Sequence, residues 1–255
     1  MGGEVRAEPP ITSDQISNQK GDPHRPQTQS KKTSQKEEPI TKLILATLFF
    51  VSTLASAQAL QPERKVQGNT IVSERDPAMR ITLPQDAHYV GGDRFILHSA
   101  EDCEMHVFVK ADARKNVLEL YRVQFSNSLP GQGQRHQYDA KNFRKFDGEN
   151  TYIQTGLGPA DAPPAGDADT ERHLQKLLAD NGYTLHPEMR YVLLTRPLGA
   201  LGRKEMTIVY VEDLTPTGLT AKSLRPGGKA ASRWPAMQKE LVERADKKIQ
   251  LESTK

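Results

Sequence analysis

The chain has 255 residues, with 35 lysines and arginines against 32 aspartates and glutamates, a net charge of +3. So balanced a charge gives no basis for nucleic-acid binding, which needs cationic side chains concentrated on one face. A single cysteine excludes an intramolecular disulfide, and an apolar fraction of 36% is low for a chain folded from end to end.

The apolar deficit lies at the start. Residues 1–41 contain no Phe, Tyr or Trp, and Gln, Ser, Lys, Glu and Pro recur. Such a stretch cannot bury enough apolar surface to offset its ordering entropy, and it reads as a disordered polar extension.

Residues 42–59 reverse that composition. Leu43 to Leu54 is strongly apolar, about as long as the hydrophobic region of a signal peptide and shorter than the roughly 20 residues of a membrane span. Lys42 supplies a positive flank. Ala55-Ser56-Ala57 and Ala57-Gln58-Ala59 both fit the small-x-small form of a cleavage site. The elements of an export signal occur in order, but unusually far along the chain. Three readings stand: translation begins near Ile40 and the signal is cleaved; the segment is an uncleaved signal-anchor; or it is a helix of the folded core. Lys31, Lys32, Lys36 and Lys42 favour a cytoplasmic tail in either of the first two. Those two export residues 60–255, most simply to a bacterial periplasm, and leave residues 42–59 as the membrane contact if uncleaved.

Residues 60–78 are polar and read as a linker. Residues 79–252 read as one domain, long enough to build its own core. Candidate strands occupy 79–84, 93–99, 103–111, 117–125 and 151–157, bounded by turn-forming residues. The polar, Gly-containing segment 126–150 is expected to be a loop or lid, and the Pro-rich 158–169 a second loop. A helix follows, with Asp169 as N-cap, Leu174, Leu177 and Leu178 on one face, and Gly182 as the stop. Strands at 189–198 and 204–214 form a hairpin across 199–203, and 220–224 adds a short strand. A last helix starts near Ser232, with Trp234, Met237, Leu241, Ala245 and Ile249 in one stripe. This order implies an α+β fold: a mostly antiparallel sheet with two amphipathic helices packed on one face.

The densest chemistry lies in residues 98–112, HSAEDCEMHVFVKAD. Alternation in a strand puts Cys103 with Met105, Val107 and Val109 on one face, and Glu104, His106, Phe108 and Lys110 on the other. A connection centred on Arg114 pairs Cys103 with Phe125, Met105 with Val123 and Val107 with Tyr121. The same register pairs Glu104 with Gln124, His106 with Arg122 and Phe108 with Leu120. A slip that opposed Met105 to Arg122 would be worse. Cys103 then reads as a small buried hydrophobe, with Asp102 and Glu104 disfavouring a thiolate. A metal site is not expected, because Cys103 and His106 have opposite parity and no second ligand pair completes the set.

Glu104, His106, Arg122 and Gln124 would together form either an ordinary solvated face or the floor of a ligand cleft. In the second case His136, Tyr138 and Arg144 of the covering loop could reach in. Gly227, Gly228 and Lys229, just ahead of the last helix, suggest weak anion capture, although a turn and cap explain them as well. The spacing is not that of a P-loop, and no nucleophile elbow, zinc-protease or dinucleotide motif occurs. No catalytic residue, metal or cofactor is therefore assigned. The sequence supports an exported domain that binds a small molecule or an envelope protein. The alternatives are an envelope hydrolase using His106 with a nearby carboxylate, and a membrane-anchored interaction protein.

Overall fold

A computed structural model describes residues 60–132, 138–158, 168–199 and 202–254. The export-signal segment 42–59 and His136 lie outside the described residues. Among the described residues no helix is long and apolar enough to cross a membrane.

In chain order the elements are β1 (Lys65–Gln67), β2 (Thr70–Ser73), β3 (Met79–Thr82), β4 (His88–Leu97), β5 (Glu101–Ala111), β6 (Asn116–Ser128), β7 (Phe143–Phe146), β8 (Glu149–Leu157), α1 (Ala168–Asp180), β9 (Thr184–Leu185), β10 (Met189–Leu198), β11 (Lys204–Asp213), α2 (Ala221–Leu224), α3 (Trp234–Lys248) and β12 (Gln250–Ser253). The fold is α+β with a mostly antiparallel main sheet, ordered β4-β5-β6-β11-β10-β8-β7, and β9 pairs in parallel with β6. A second, four-stranded sheet has the order β1-β2-β3-β12.

Three segments differ from their sequence reading. Residues 60–78 are not a plain linker, because β1 and β2 form a hairpin there across Gly68 and Asn69. Within 126–150, β6 runs on to Ser128 and β7 pairs with β8. Residues 220–224 form the short helix α2 instead of a strand, because the Thr220 side chain accepts from the Ser223 N–H while the Ser223 side chain accepts from the Thr220 N–H.

The two long helices do pack on the main sheet, but on opposite faces. Leu174 and Leu178 of α1 join Cys103, Met105, Val107 and Val109 of β5 and Val209 and Val211 of β11. Leu241 and Ala245 of α3, with Ile249 just beyond it, join Phe108, Tyr121, Val123, Ile208 and Tyr210 on the other side. Ile71, Ile81 and Leu83 of the small-sheet region complete that second cluster. The sheet is therefore buried on both faces, and each fully buried Leu or Ile contributes about 1.5–3 kcal/mol of transfer free energy.

This double burial explains why the register of β5 and β6 departs from the sequence reading. The connection does set Ala111 opposite Val117, as a turn centred on Arg114 requires. A bulge then places Lys110 opposite Glu119, so Leu118 is the extra residue of β6. From there on the pairs are Val107 with Arg122, Met105 with Gln124, Cys103 with Ser126, Glu104 with Phe125 and His106 with Val123. Apolar matching had assumed one buried face. With both faces covered, that criterion cannot choose between registers, and the bulge decides.

Candidate functional site

The bulge divides the anticipated cluster between the two faces of the sheet. Glu104 and His106 lie on the side of the small sheet. Arg122 and Gln124 lie on the side of α1.

On the first side, Glu104 accepts hydrogen bonds from the Arg64 backbone N–H at 2.7 Å and from Arg64 Nη1 at 2.8 Å. His106 Nε2 lies 2.9 Å from the same carboxylate. A carboxylate only accepts, so Nε2 donates to it, and Nδ1 lies 3.1 Å from the Tyr89 hydroxyl. Gly92 keeps that bond clear, since a Cβ there would lie 2.8 Å from Tyr89 Oη and 3.1 Å from His106 Nδ1. Burial pushes the Glu104 carboxyl upward, but the bonds from His106 and Arg64 and their charge outweigh it, holding the carboxyl at about 2. The Arg64 guanidinium carbon sits 3.6 Å from the centre of the Phe125 ring.

A cleft of about 190 Å³ opens beside this cluster, lined by Glu63, Arg64, Arg94, Asp102, Glu104, Phe125 and Lys204 among others. Its charges neutralise one another. Arg94 pairs with Asp102 and Glu63, Arg75 with Glu63, and Lys204 with Asp76. His106 does not line the cleft. The ring is fully buried with both nitrogens engaged, so it presents no free nitrogen to a substrate. The arrangement clamps the β1–β2 segment onto the main sheet.

The second side is built differently. Arg122 is 3% exposed and Gln124 8%. Glu171, in the first turn of α1, is also buried, and its Oε2 lies 3.9 Å from Arg122 Nη1, beyond hydrogen-bond reach. Arg122 Nε, Gln124 Oε1 and Glu171 Oε2 find no hydrogen-bond partner among the described residues. Burial moves both charged groups toward neutrality, Arg122 down and Glu171 up, and their mutual attraction offsets this only in part. Gln124 Nε2 donates to Ser126 Oγ at 3.1 Å. Thr207 lies opposite Gln124 on β11, and its hydroxyl is 3.1 Å from that of Thr195.

The other anticipated residues fall elsewhere. The Tyr138 hydroxyl bonds Glu205 and its ring packs 4.8 Å from that of Tyr152, at the end of the α1-side face. Arg144 bonds the carbonyls of Lys141 and Phe143 and does not reach the sheet polar groups. The Gly227–Lys229 turn is occupied internally, with the Gly228 N–H on Arg225 O and the Ala230 N–H on Ser223 O. A Cβ on Gly228 would lie 2.3 Å from Ser223 O, so the glycine is required by this close approach. Lys229 is exposed, and Arg233, not Ser232, occupies the N-cap of α3. Cys103 is fully buried, and burial pushes its thiol up to about 12. His173 stacks on Phe95 at 3.9 Å and bonds Asp93 at 2.7 Å, fastening α1 to β4.

Sequence reasoning missed Arg64, Glu171 and a third cluster under the end of α3. There Glu212 accepts from Tyr210 at 2.6 Å, Arg190 at 2.7 Å and Arg244 at 2.7 Å, and Glu119 accepts from Tyr121 at 2.6 Å and Lys248 at 2.5 Å. These acceptors are well supplied, so the network ties α3 to the sheet. The Gly68-Asn69 turn was a legible hairpin signal for the segment that carries Arg64. Arg190, Arg244 and Glu212 meet only through strand pairing and helix packing. Comparison with family models, with curated proteins and with solved structures finds no match for this chain.

Proposed function

We propose that this chain is an exported, non-catalytic domain that holds a small ligand against the sheet face beneath α1. The observation that carries the reading is the trio of buried polar atoms, Arg122 Nε, Gln124 Oε1 and Glu171 Oε2, without hydrogen-bond partners among the described residues. Folded proteins satisfy nearly all such groups, because each costs about 1–3 kcal/mol when left unpaired. Three in one patch, drawn from a strand and the helix above it, favour a place where a guest completes the bonding. The clamped cleft around Glu104 favours a guest less, since its own charges are already paired. The ordered pattern of Lys42, the apolar run and the small residues at 55–59 supports export.

The test uses the full gene expressed in a bacterial host, with cell fractionation and mass spectrometry of the mature N-terminus. The recovered chain is then screened by thermal unfolding against small polar metabolites, since a ligand that binds only the native state raises Tm. At least one compound should stabilise the wild type and have no effect on the Arg122→Met/Glu171→Met variant. Hits that survive both substitutions, or a screen with none, would refute binding at this face. A chain retained in the cytoplasm would refute export.

A further inference from the structure

A cleft of about 320 Å³ opens between the two sheets, at the end that carries the β7–β8 turn. Its volume lies at the lower end of the roughly 300–1,000 Å³ of small-molecule pockets. Arg196 of β10 lines it, with 12% of the side chain exposed. Its Nε donates to Thr151 Oγ1 at 3.1 Å and its Nη2 to the Phe146 carbonyl at 2.6 Å, so one edge of the guanidinium is spent on β7 and β8 and fixes its position. Nη1 has no hydrogen-bond partner among the described residues, yet it is not sealed from solvent, so its N–H groups open onto the cleft. Burial moves this guanidinium down, and the charges of Asp147 and Glu149 offset that only in part.

Both of those carboxylates also line the cleft, and both are exposed. Asp147 is held by the tight β7–β8 turn, where it and Gly148 take positive φ of 51° and 74°. Its Oδ2 lies 4.0 Å from Arg196 Nη2, too far for a hydrogen bond. Pro77, Leu198 and Leu251 add half-buried apolar lining. A simple carboxylate would meet Arg196 but face two acids. A simple amine would meet the acids but face Arg196. A guest with both groups one carbon apart suits a cation and an acid at this separation, and its apolar part gains the apolar lining.

Independently of the face beneath α1, we propose that this cleft binds a free apolar α-amino acid as its zwitterion. The guest carboxylate accepts from Arg196 Nη1, its ammonium donates to Asp147 and Glu149, and its side chain lies along Pro77, Leu198 and Leu251. No bond is made or broken.

The test is isothermal titration calorimetry of the recovered chain with L-leucine. The comparison probes are leucinamide, which lacks the carboxylate, 4-methylpentanoate, which lacks the ammonium, glycine, which lacks the side chain, and 6-aminohexanoate, whose charges lie far apart. Leucine should give saturable heat, and each comparison probe should bind weaker by about tenfold or more. Asp147→Asn/Glu149→Gln should weaken leucine by about tenfold or more while binding 4-methylpentanoate no worse than the wild type does. Asn tolerates the positive φ of Asp147, so this variant keeps the turn. Arg196→Met should abolish leucine binding, with circular dichroism as the check on folding; if it fails to fold, the carboxylate variant decides. No saturable heat with leucine, equal binding of leucinamide or 4-methylpentanoate, or leucine binding unchanged in Asp147→Asn/Glu149→Gln would overturn the proposal. Leucine binding lost in Arg122→Met/Glu171→Met and kept in the carboxylate variant would also overturn it, and would place the guest beneath α1 instead.

Discussion

Replacing Glu104 with Gln tests the clamp on the small-sheet side. Glu104 is 4% exposed and accepts from the Arg64 N–H, Arg64 Nη1 and His106 Nε2. These partners hold its carboxyl at about 2 in the folded chain, against an ordinary value of 4.5. At about 1.4 kcal/mol per pH unit the difference amounts to roughly 3 kcal/mol of stability. The folded value is the lower one, so this contribution is fully present above pH 4.5 and is lost as the pH falls from 4.5 toward 2. The Gln side chain has the same shape but no charge, and with its oxygen facing the Arg64 N–H and His106 Nε2 its amide nitrogen turns a donor toward the donor Arg64 Nη1, while Arg64 stays buried. Glu104→Gln is therefore expected to lose about 3 kcal/mol at pH 7, with the gap to the wild type closing in acid. Urea unfolding followed by circular dichroism, at half-unit steps from neutral pH down to about 2.5, measures both. A gap that stays constant across that range would refute the electrostatic account.

Four further outcomes are expected. Leu241→Ala, at a fully buried position of α3, should cost about 2–5 kcal/mol in urea unfolding. Deleting Leu118 removes only the extra residue, so the pairs from Lys110 with Glu119 onward and the faces of Arg122 and Val123 are kept; the variant should still unfold cooperatively in urea, and loss of a cooperative fold would sink the register argument. Glu171→Met alone strands the Arg122 charge and should cost about 3–5 kcal/mol, whereas the double variant with Arg122→Met should cost clearly less than the single; a double-variant loss equal to the sum of the Glu171→Met and Arg122→Met losses would show that the pair is not coupled. Cys103 should resist a maleimide in the native chain and react only on unfolding, as mass spectrometry of a timed reaction would show.

Elements that announce themselves through local pattern were legible in the sequence. The period of three to four in Trp234, Met237, Leu241 and Ala245 marked α3, and Leu174 with Leu178 marked the buried side of α1. The alternation in 103–111 marked β5 and the buried position of Cys103. The α+β class followed from the order of these elements. Both helices were assigned to one face because periodicity shows that a helix has an apolar side and does not show which surface receives it. Short, polar β1, β2 and β12 were missed because what stabilises them is packing over the main sheet rather than local propensity.

The candidate site was legible in its residue types and not in its grouping. Arg122 and Gln124 were correctly seen as neighbours on one strand face, as were Glu104 and His106, since parity along a strand is a local property. Which pair faces which depends on one extra residue, Leu118, and on whether each face of the sheet is covered. Likewise Glu171 reaches Arg122, and Arg64 reaches Glu104, across sequence separations that carry no periodic signal. The sequence by itself determined the long helices, the central strands and the apolar side of each helix. Only the tertiary structure decided which polar groups meet, because a one-residue bulge reverses every later side chain and both faces offer an apolar partner to receive it.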